Sequence, residues 1–240
     1  VKHGAEVESG NAVAWNEMIN LAENGIESES EYAAIQRFVD IDNFADAMIH
    51  RIWSSDEDWL APATRNGQSI STFFDDKNWY VARKSRNGEA PFIFYSWDAE
   101  MSMGIPFSSN ESTGQENPRS WRNNFTRIDN RNSPGIVYDA LRQNQEFRLH
   151  FADRLHKHIY NRGALSVESL QTRWDQLVTK VRTPVVAESA RWGRDSWGGS
   201  RGAAYTRNSQ WIPAVNWVRS EFLVNRSDEI LRQFNEIGLY

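Results

Sequence analysis

Several classes of functional site are excluded by what the sequence lacks. It contains no cysteine, which rules out disulfide bonds, cysteine-ligated zinc sites and thiol catalysis. It has no run of about 18 apolar residues, the length that a membrane-spanning helix requires. It also lacks the G-x-x-x-x-G-K-[ST] loop of P-loop nucleotide hydrolases. The chain opens on Val1 with neither an initiator Met nor the apolar segment of a signal peptide, so we expect a processed or excised piece of a longer protein.

Two other catalytic patterns are present only in part. The segment 198–202 has the spelling G-x-S-x-G, but a nucleophile of that kind needs a buried strand before it and a histidine after it. No histidine follows His158. His156 and His158 lie two residues apart, a spacing that points them in different directions on a helix, so no zinc site is expected there.

Composition indicates a folded globular protein. The 240 residues are 40% hydrophobic and include 11 Trp and 12 Phe, enough to build a substantial core as one large domain or two small ones. The formal net charge is −5 and the pI is about 5.6. An acidic chain without interleaved Lys and Arg clusters is a poor partner for a phosphate backbone, so we expect no nucleic-acid partner.

Hydrophobic periodicity predicts a chain that is mostly helical. Asp42 is well placed as the N-cap of the third predicted helix, because its carboxylate could accept the free amides there. Pro184 should kink or break the long helical segment that contains it. The predicted helices cover residues 12–23, 31–38, 44–53, 136–159, 166–192, 211–222 and 226–237.

One β-hairpin is predicted in the middle of the chain. The aromatic-rich runs Trp79–Ala82 and Phe92–Trp97 flank a polar segment centred on Asn87-Gly88. Asn-Gly between two apolar runs is the strongest short-range hairpin signal, because both turn residues can take a positive φ. The predicted fold class is therefore α+β, mostly helical with one principal β-hairpin.

The register of this hairpin has two possible values. If Asn87-Gly88 forms a two-residue loop, Asn78 lies opposite Trp97 and Asp98 points to the other face. A three-residue loop, 87–89, would set Asn78 directly against Asp98. Both registers are compatible with the sequence.

Acidic and amide side chains gather at the open end of this hairpin. Asp75, Asp76 and Asn78 come just before the first strand, and Asp98 and Glu100 come just after the second. An Asp and an Asn before a hairpin, with an Asp at the far strand's end, is how protein kinases hold magnesium and the substrate hydroxyl. The structural alternative is that the first two acids cap a strand entry and the last two lie in a solvated turn.

Four segments resemble the CotH kinase family, atypical protein kinases first known from spore coats. They are VDIDNFADAMI (39–49), DKNWYVARK (76–84), FIFYSWDAEMSMG (92–104) and ESARWG (188–193). The resemblance runs from about Trp15 to Tyr240, so the whole chain, 1–240, is interpreted as the large-lobe portion of such a kinase. In the last segment, a Glu188–Arg191 pair is expected to act as a structural tether.

The resemblance implies a bacterial protein that transfers phosphate from ATP to a Ser or Thr of a protein substrate. It implies Mg²⁺ as cofactor, and a location outside the cytoplasm, secreted or in the cell envelope. Asp76 would orient the hydroxyl as catalytic base, with Asp75 as the alternative for that role. Asn78 and Asp98 would coordinate metal, and Glu100 would support Asp98 or a second ion.

The resemblance also places Asp40 and Asp42 near the bound nucleotide. At the open end of the hairpin, the gathered carboxylates repel one another in the absence of metal, so a nearby cation should compensate their charge. Lys77, Arg83 and Lys84 are the candidates in the sequence.

The apparent lack of a small lobe keeps a non-enzymatic function open. The residues before Val39 read as helices, without the strands, glycine-rich loop and Lys of a kinase small lobe, so that lobe is expected to be missing. A non-catalytic extracellular interaction module on a kinase-like scaffold is therefore the main alternative. A metal-dependent hydrolase built on the same acids ranks last, because no histidine ligand lies nearby.

Overall fold

The computed structural model describes residues 1–2, 6–56, 59, 63–65, 68–70, 78–84, 90–104, 109–110, 115–116, 119–126, 128, 134–196, 199–200 and 202–240. Helices dominate this part of the chain, and its strands form short antiparallel pairs. The chain divides into two compact units, Val1–Lys157 with Asp228–Tyr240, and His158–Ser227. The predicted fold class, mostly helical α+β, is confirmed. None of the helices in these ranges is both long and apolar enough to cross a membrane.

The elements follow one another along the chain in this order. The helices in the described ranges are α1 Val13–Glu23, α2 Glu29–Ile35, α3 Ile41–Ser54, α4 Pro134–Leu141, α5 Gln145–Ile159, α6 Val167–Val181, α7 Pro184–Trp192, α8 Ile212–Trp217 and α9 Leu223–Glu236. Two π-helical turns, Arg207–Trp211 and Val218–Phe222, flank α8. The paired strands are β1 Ala63–Arg65 with β2 Gln68–Ile70, β3 Trp79–Ala82 with β4 Ile93–Ser96, β5 Ser109–Asn110 with β6 Gln115–Glu116, and β7 Asp195–Ser196 with β8 Gly199–Ser200.

A row of aromatic rings joins the hairpin to the helices of the first unit. Phe94 of β4 meets Phe44 of α3 at 4.8 Å between ring centroids. Phe44 contacts Phe147 of α5 at 6.4 Å, and Phe147 contacts Phe151 at 5.8 Å. Phe151 then meets Phe234 of α9 edge to face at 5.0 Å. These rings are all buried, so the hairpin is fixed to the helical core through β4.

Helix α1 packs through one tryptophan on the same face of the hairpin as α3, because Trp79, Phe92 and Phe94 share that face. Trp15 is fully buried, and its ring stacks on Trp79 of β3 at 5.2 Å between centroids. The same ring meets Phe92, just before β4, edge to face at 5.8 Å. Trp15 therefore contacts both of the chain segments that form the hairpin.

Helix α3 begins earlier than the periodicity predicted. Its N-cap is Asp40, which has extended backbone angles and accepts a hydrogen bond from the amide of Asn43 at 3.0 Å. The prediction that Asp42 caps a helix starting at Phe44 is therefore wrong. The helix starts at Ile41, so Asp42 lies in its first turn, where a negatively charged carboxylate interacts favourably with the positive end of the helix dipole.

The register of the hairpin is that of the two-residue loop. Trp79 pairs with Ser96, so one further step places Asn78 opposite Trp97. The turn residues 85–89, which include the predicted Asn-Gly, lie outside the described residues. The register nevertheless decides between the two alternatives that the sequence left open.

The chain start extends the hairpin on its second edge. Val1 and Val81 exchange two backbone hydrogen bonds, of 2.8 and 2.9 Å, and Lys2 bridges to Tyr80 in the antiparallel sense. The edge of β3 that faces away from β4 is thus paired with residues 1 and 2 at Val81 and Tyr80.

The second unit is a helical assembly around α6. Pro184 breaks the predicted helix as expected, since α6 ends at Val181 and α7 starts at Pro184. The indole N–H of Trp174 donates to the carbonyl of Val215 at 3.2 Å. Arg219 binds Asp175 through two hydrogen bonds, of 2.7 and 2.9 Å. These contacts join α6 to the helical run of residues 207–222.

We expect Trp15→Ala to lower the free energy of unfolding by about 3–5 kcal/mol, because it leaves a cavity against both strands of the hairpin. Urea denaturation followed by circular dichroism measures the loss. Val13→Ala on the same helix is the control: Val13 is 61% exposed, and the expected change is within about 0.5 kcal/mol. Equal losses in the two variants would contradict the packing described here.

Candidate functional site

The segment 38–43 binds the edge of β4 and so fixes the hairpin on α3. The amide of Phe94 donates to the Asn43 side-chain oxygen at 2.6 Å, and the Asn43 side-chain nitrogen donates to the Phe94 carbonyl at 3.2 Å. The amide of Phe92 donates to the Phe38 carbonyl at 2.7 Å, and the amide of Asp40 donates to the Phe92 carbonyl at 3.4 Å. The side chain of Asn43 thus makes the pair of hydrogen bonds that a neighbouring strand would make with Phe94. This gives the Asn of the VDIDNF segment a structural role.

At the opposite end of α3, Arg51 holds the open end of the hairpin. Its Nη2 donates to the carbonyl oxygen of Asn78 at 2.6 Å and also to the carbonyl oxygen of Trp97. Its Nη1 donates to the Oδ2 atom of Asp56 in an ion pair. The Arg51 side chain is 3% exposed and that of Asp56 is fully buried. One guanidinium therefore ties together both strands, just beyond the last ladder pair.

The charge of Arg51 is balanced by carboxylates. Burial lowers the pKa of Arg51, while the charge and hydrogen bond of Asp56 oppose that shift, with smaller contributions from Asp98 and Glu100. Arginine has an ordinary pKa so high that it stays protonated. A buried charge is tolerated when it is paired and its hydrogen bonds are satisfied. Asp98 and Glu100 thus lie close enough to Arg51 to interact with it electrostatically.

The backbone leaves strand geometry on both sides of this guanidinium. Asn78 has φ 55° and Asp98 has φ 51°, both in the left-handed region. Asn and Asp adopt that region more readily than other non-glycine residues, yet each such position still costs on the order of 1 kcal/mol. Met103 and Gly104 follow with φ 62° and 65°. Backbone conformations of this kind cluster at functional sites.

The chain after Asp98 returns to the C-terminal end of α3. The amide of Met103 donates to the carbonyl of Ser54 at 2.6 Å, and the amide of Ser120 donates to the carbonyl of Gly104 at 3.0 Å. Ser55, which ends the helix, is left-handed at φ 58°. The loop that carries the candidate carboxylates is thus anchored at its far end by the helix that also supplies Arg51.

The two faces of the hairpin end differ in exposure. Asn78 is 7% exposed, whereas Asp98 and Glu100 are exposed. Trp97 is 54% exposed, and its ring lies 5.0 Å from that of Tyr80. The carboxylates therefore face solvent beside an exposed aromatic ring, where a ligand could reach them.

The predicted metal ligands lie near the end of the hairpin held by Arg51, and the two predicted bases are not described. Arg51 binds the backbone carbonyl of Asn78 and interacts electrostatically with Asp98 and Glu100. The register that sets Asn78 opposite Trp97 points Asp98 to the other face of the hairpin, so a metal site shared by the two side chains stays a prediction. Asp75 and Asp76, predicted as base and alternative base, lie outside the described residues.

A cation that the sequence analysis did not suggest, Arg51, lies near these carboxylates. Arg83 donates its Nε to the carbonyl of Ala90 at 2.7 Å and lies 5.3 Å from the ring of Phe92. Lys77 is outside the described residues. Arg51 reaches the hairpin end from the buried face of α3, and the role predicted for Lys77 and Lys84 stays a prediction.

Asp40 and Asp42 lie at the other end of α3. Asp40 caps the helix, and Asp42 accepts a hydrogen bond from Arg154 of α5 at 3.0 Å. A hydrogen bond from Arg154 to Asp46, with the charges of these acids, raises the pKa of Arg154. Roughly 14 Å of helix rise separates Asp42 from Arg51. Both acids have structural contacts, and their predicted nucleotide-binding role stays a prediction.

The donor set at the hairpin end suits magnesium. Mg²⁺ prefers hard oxygen ligands and is held by one or two carboxylates together with water and substrate phosphates. Asp98 and Glu100 supply carboxylates, and Asn78 supplies an amide oxygen. Within the described ranges no group of three or more His, Cys, Asp or Glu side chains could hold a metal. A site shared between protein and phosphate needs no such group.

Sequence reasoning missed Arg51 and Asp56, although the sequence carries a signal for the first. Arg51 lies three residues after Met48 and seven after Phe44, on the apolar face of α3. A charged residue on a face that periodicity predicts to be buried requires a buried partner. Asp56 follows five residues later.

The family model described as CotH kinase protein matches residues 2–230 of the chain. No curated protein and no solved structure matches it.

We expect Arg51→Met to lower the free energy of unfolding by about 3–5 kcal/mol, because it leaves Asp56 buried without its partner. Arg51→Met combined with Asp56→Leu should recover part of that loss, since neither charge then remains buried. Urea denaturation of both single variants and the double variant gives the coupling free energy.

Arg232→Met is the matched control. Arg232 pairs with Glu229 and Glu236 of its own helix and is 54% exposed, so its removal should cost about 1 kcal/mol or less. Strictly additive losses at positions 51 and 56 would contradict the pairing.

Proposed function

The chain belongs to the CotH kinase family, and on that premise we propose that it transfers phosphate from ATP to a Ser or Thr hydroxyl of a protein, with Mg²⁺ as cofactor. Membership of the family makes the domain kinase-like. The observation that supports the finer proposal most is the hairpin end held by Arg51, which binds the backbone carbonyls of Asn78 and of Trp97, the residue before Asp98.

In this proposal Asn78 and Asp98 hold the metal, and Glu100 supports Asp98 or a second ion. When bound, Mg²⁺ neutralises charge that develops on the phosphate oxygens during transfer. Arg51 lies close enough to Asp98 and Glu100 for their charges to act on its guanidinium. Its two bonds to backbone carbonyls limit the movement of the segments that carry the ligands.

The transfer step itself exchanges one phosphorus–oxygen bond for another. The substrate hydroxyl oxygen forms a bond to the γ-phosphorus, and the bond from that phosphorus to the β,γ-bridging oxygen breaks to release ADP. Asp76 orients the hydroxyl and accepts its proton, with Asp75 as the alternative. These two roles rest on the family resemblance and on the position of both residues just before β3.

The second candidate function is a non-catalytic interaction module on the same kinase-like scaffold. The side chains of Tyr95 and Trp97 favour it, because they are 52% and 54% exposed on neighbouring positions of the hairpin. Exposed aromatic residues are enriched in protein-binding surfaces. Titration calorimetry with ATP and Mg²⁺ separates the two candidates, since only the kinase should bind the nucleotide in a metal-dependent manner.

We expect Asp98→Asn to reduce phosphoryl transfer at least about a hundredfold, because an amide cannot replace the charge of a metal-binding carboxylate. Incorporation of labelled phosphate from ATP into a mixture of Ser- and Thr-containing proteins measures the rate, in the longest natural form of the protein.

The control is Asp153→Asn, which removes an exposed carboxylate from α5 and should leave the rate unchanged. If Asp98→Asn transferred phosphate as fast as the parent, the assignment would be wrong. Absence of both transfer and metal-dependent ATP binding in the parent would favour the interaction module.

A further inference from the structure

A glycine allows two segments of the second unit to approach very closely. Gly193 follows α7, and the amide of Tyr205 donates to its carbonyl at 2.7 Å. A Cβ atom at this position would lie 2.3 Å from the carbonyl oxygen of Ser189 and 2.5 Å from that of Tyr205. Any residue larger than glycine would therefore push the two segments apart.

This contact corrects the expectation for the ESARWG segment. Glu188 is exposed and makes no ion pair with Arg191 among the described residues, so the two are not a structural tether. Arg191 instead lies 4.7 Å from the ring of Trp192. Gly193 is the residue of that segment on which the local fold depends.

The close approach creates a pocket lined by arginines. It is an open pocket of about 460 Å³ between the end of α7 and the segment 204–208. Six of its lining residues are polar or charged, namely Ser189, Arg191, Arg194, Thr206, Arg207 and Asn208. Within the described part of the chain no carboxylate lines it.

Two features hold this cationic lining in place. The Nε of Arg207 donates to the side-chain oxygen of Asn208 at 3.0 Å, and Arg191 stacks on Trp192. The pocket also lies where the helical run of residues 207–236 begins, with Thr206 as N-cap. The positive end of that run adds to the attraction for an anion.

The local charge is opposite in sign to that of the whole chain. Residues 182–207 contain five arginines and two carboxylates, a net +3, whereas the chain carries −5. Clustered guanidinium groups bind phosphate through paired, charge-assisted hydrogen bonds, which a lysine cannot reproduce.

We propose that this pocket binds the phosphate group of a phosphorylated serine or threonine in a peptide segment. Arg191, Arg194 and Arg207 supply the guanidinium groups, as arginine clusters do in phosphopeptide recognition. Val186, which also lines the pocket, offers an apolar surface to the neighbouring peptide residues. A polynucleotide fits less well, because it would meet the negative charge of the remaining chain.

The test is titration calorimetry with the pentapeptide acetyl-Gly-Ala-phosphoSer-Ala-Gly-amide and its unphosphorylated twin. The phosphopeptide should bind at least about tenfold more tightly, given the usual strength of charged hydrogen bonds. Lowering the pH from about 7.5 to about 5 should weaken binding, because the phosphate loses its second charge near pH 6.

Arg191→Ala and Arg207→Ala should each weaken binding about tenfold or more. Arg182→Ala is the matched control, because it removes an exposed arginine from the same region without touching the pocket, and binding should not change. Arg191→Lys and Arg207→Lys keep the charge and the fold, and should still weaken binding through loss of the paired geometry.

Three outcomes would overturn the proposal. These are equal affinity for both peptides, an equal loss with Arg182→Ala, and tighter binding of a single-stranded oligonucleotide at the same residues. Wild-type affinity in both lysine variants would contradict the claim that these arginines bind the phosphate through paired hydrogen bonds. This test holds even if the alanine variants fail to fold. The inference does not rest on phosphoryl transfer, and Asp98→Asn, which is expected to reduce that activity, should bind the phosphopeptide as the parent does.

Discussion

The buried guanidinium of Arg51 is the contact on which the end of the hairpin depends. Beyond the last pair of β3 and β4, both chains turn into left-handed conformations, and no ladder hydrogen bond of the hairpin joins them there. Arg51 replaces those missing bonds by binding the carbonyls of Asn78 and Trp97 together. Because the same side chain pairs with Asp56, its position is fixed from the core side as well. Helix α3 thus fixes, through Arg51, the position of the hairpin end that carries the candidate ligands.

The buried pair of Arg51 and Asp56 contributes little net free energy to folding. What it provides is a fixed position for the end of the hairpin. Moving a guanidinium and a carboxylate out of water costs several kcal/mol, and their attraction offsets this only when the geometry is good. Left-handed backbone at Asn78 and Asp98 adds a further cost. A hairpin that served only to pack against α1 and α3 would need neither feature. Their joint presence beside solvent-facing carboxylates is what supports a functional role for this end of the sheet.

Local patterns in the sequence predicted most of the fold, and tertiary contacts account for the rest. Periodicity found most of the helices, although the helix predicted over 136–159 is two, α4 and α5, and the break at Pro184 followed from its missing amide. The start of α3 was misplaced because Asp40 and Asp42 are equally good caps, and only backbone angles distinguish them. The sequence was compatible with two hairpin registers, because the choice between them depends on how the strands pack against Phe44 and Trp15, which are distant along the chain. Arg51 was missed because its partners lie far away along the chain.

A paramagnetic ion gives the sharpest test of this placement. With ATP present and Mn²⁺ added in place of Mg²⁺, the backbone amide signals of Asn78, Asp98 and Glu100 should broaden first in nuclear magnetic resonance spectra of the labelled protein. Asp98→Asn should abolish that broadening while leaving the remaining spectrum unchanged. Broadening centred instead on Asp42 and Asp46, with the signals of Asn78 and Asp98 unaffected, would contradict a metal site at the end of the hairpin.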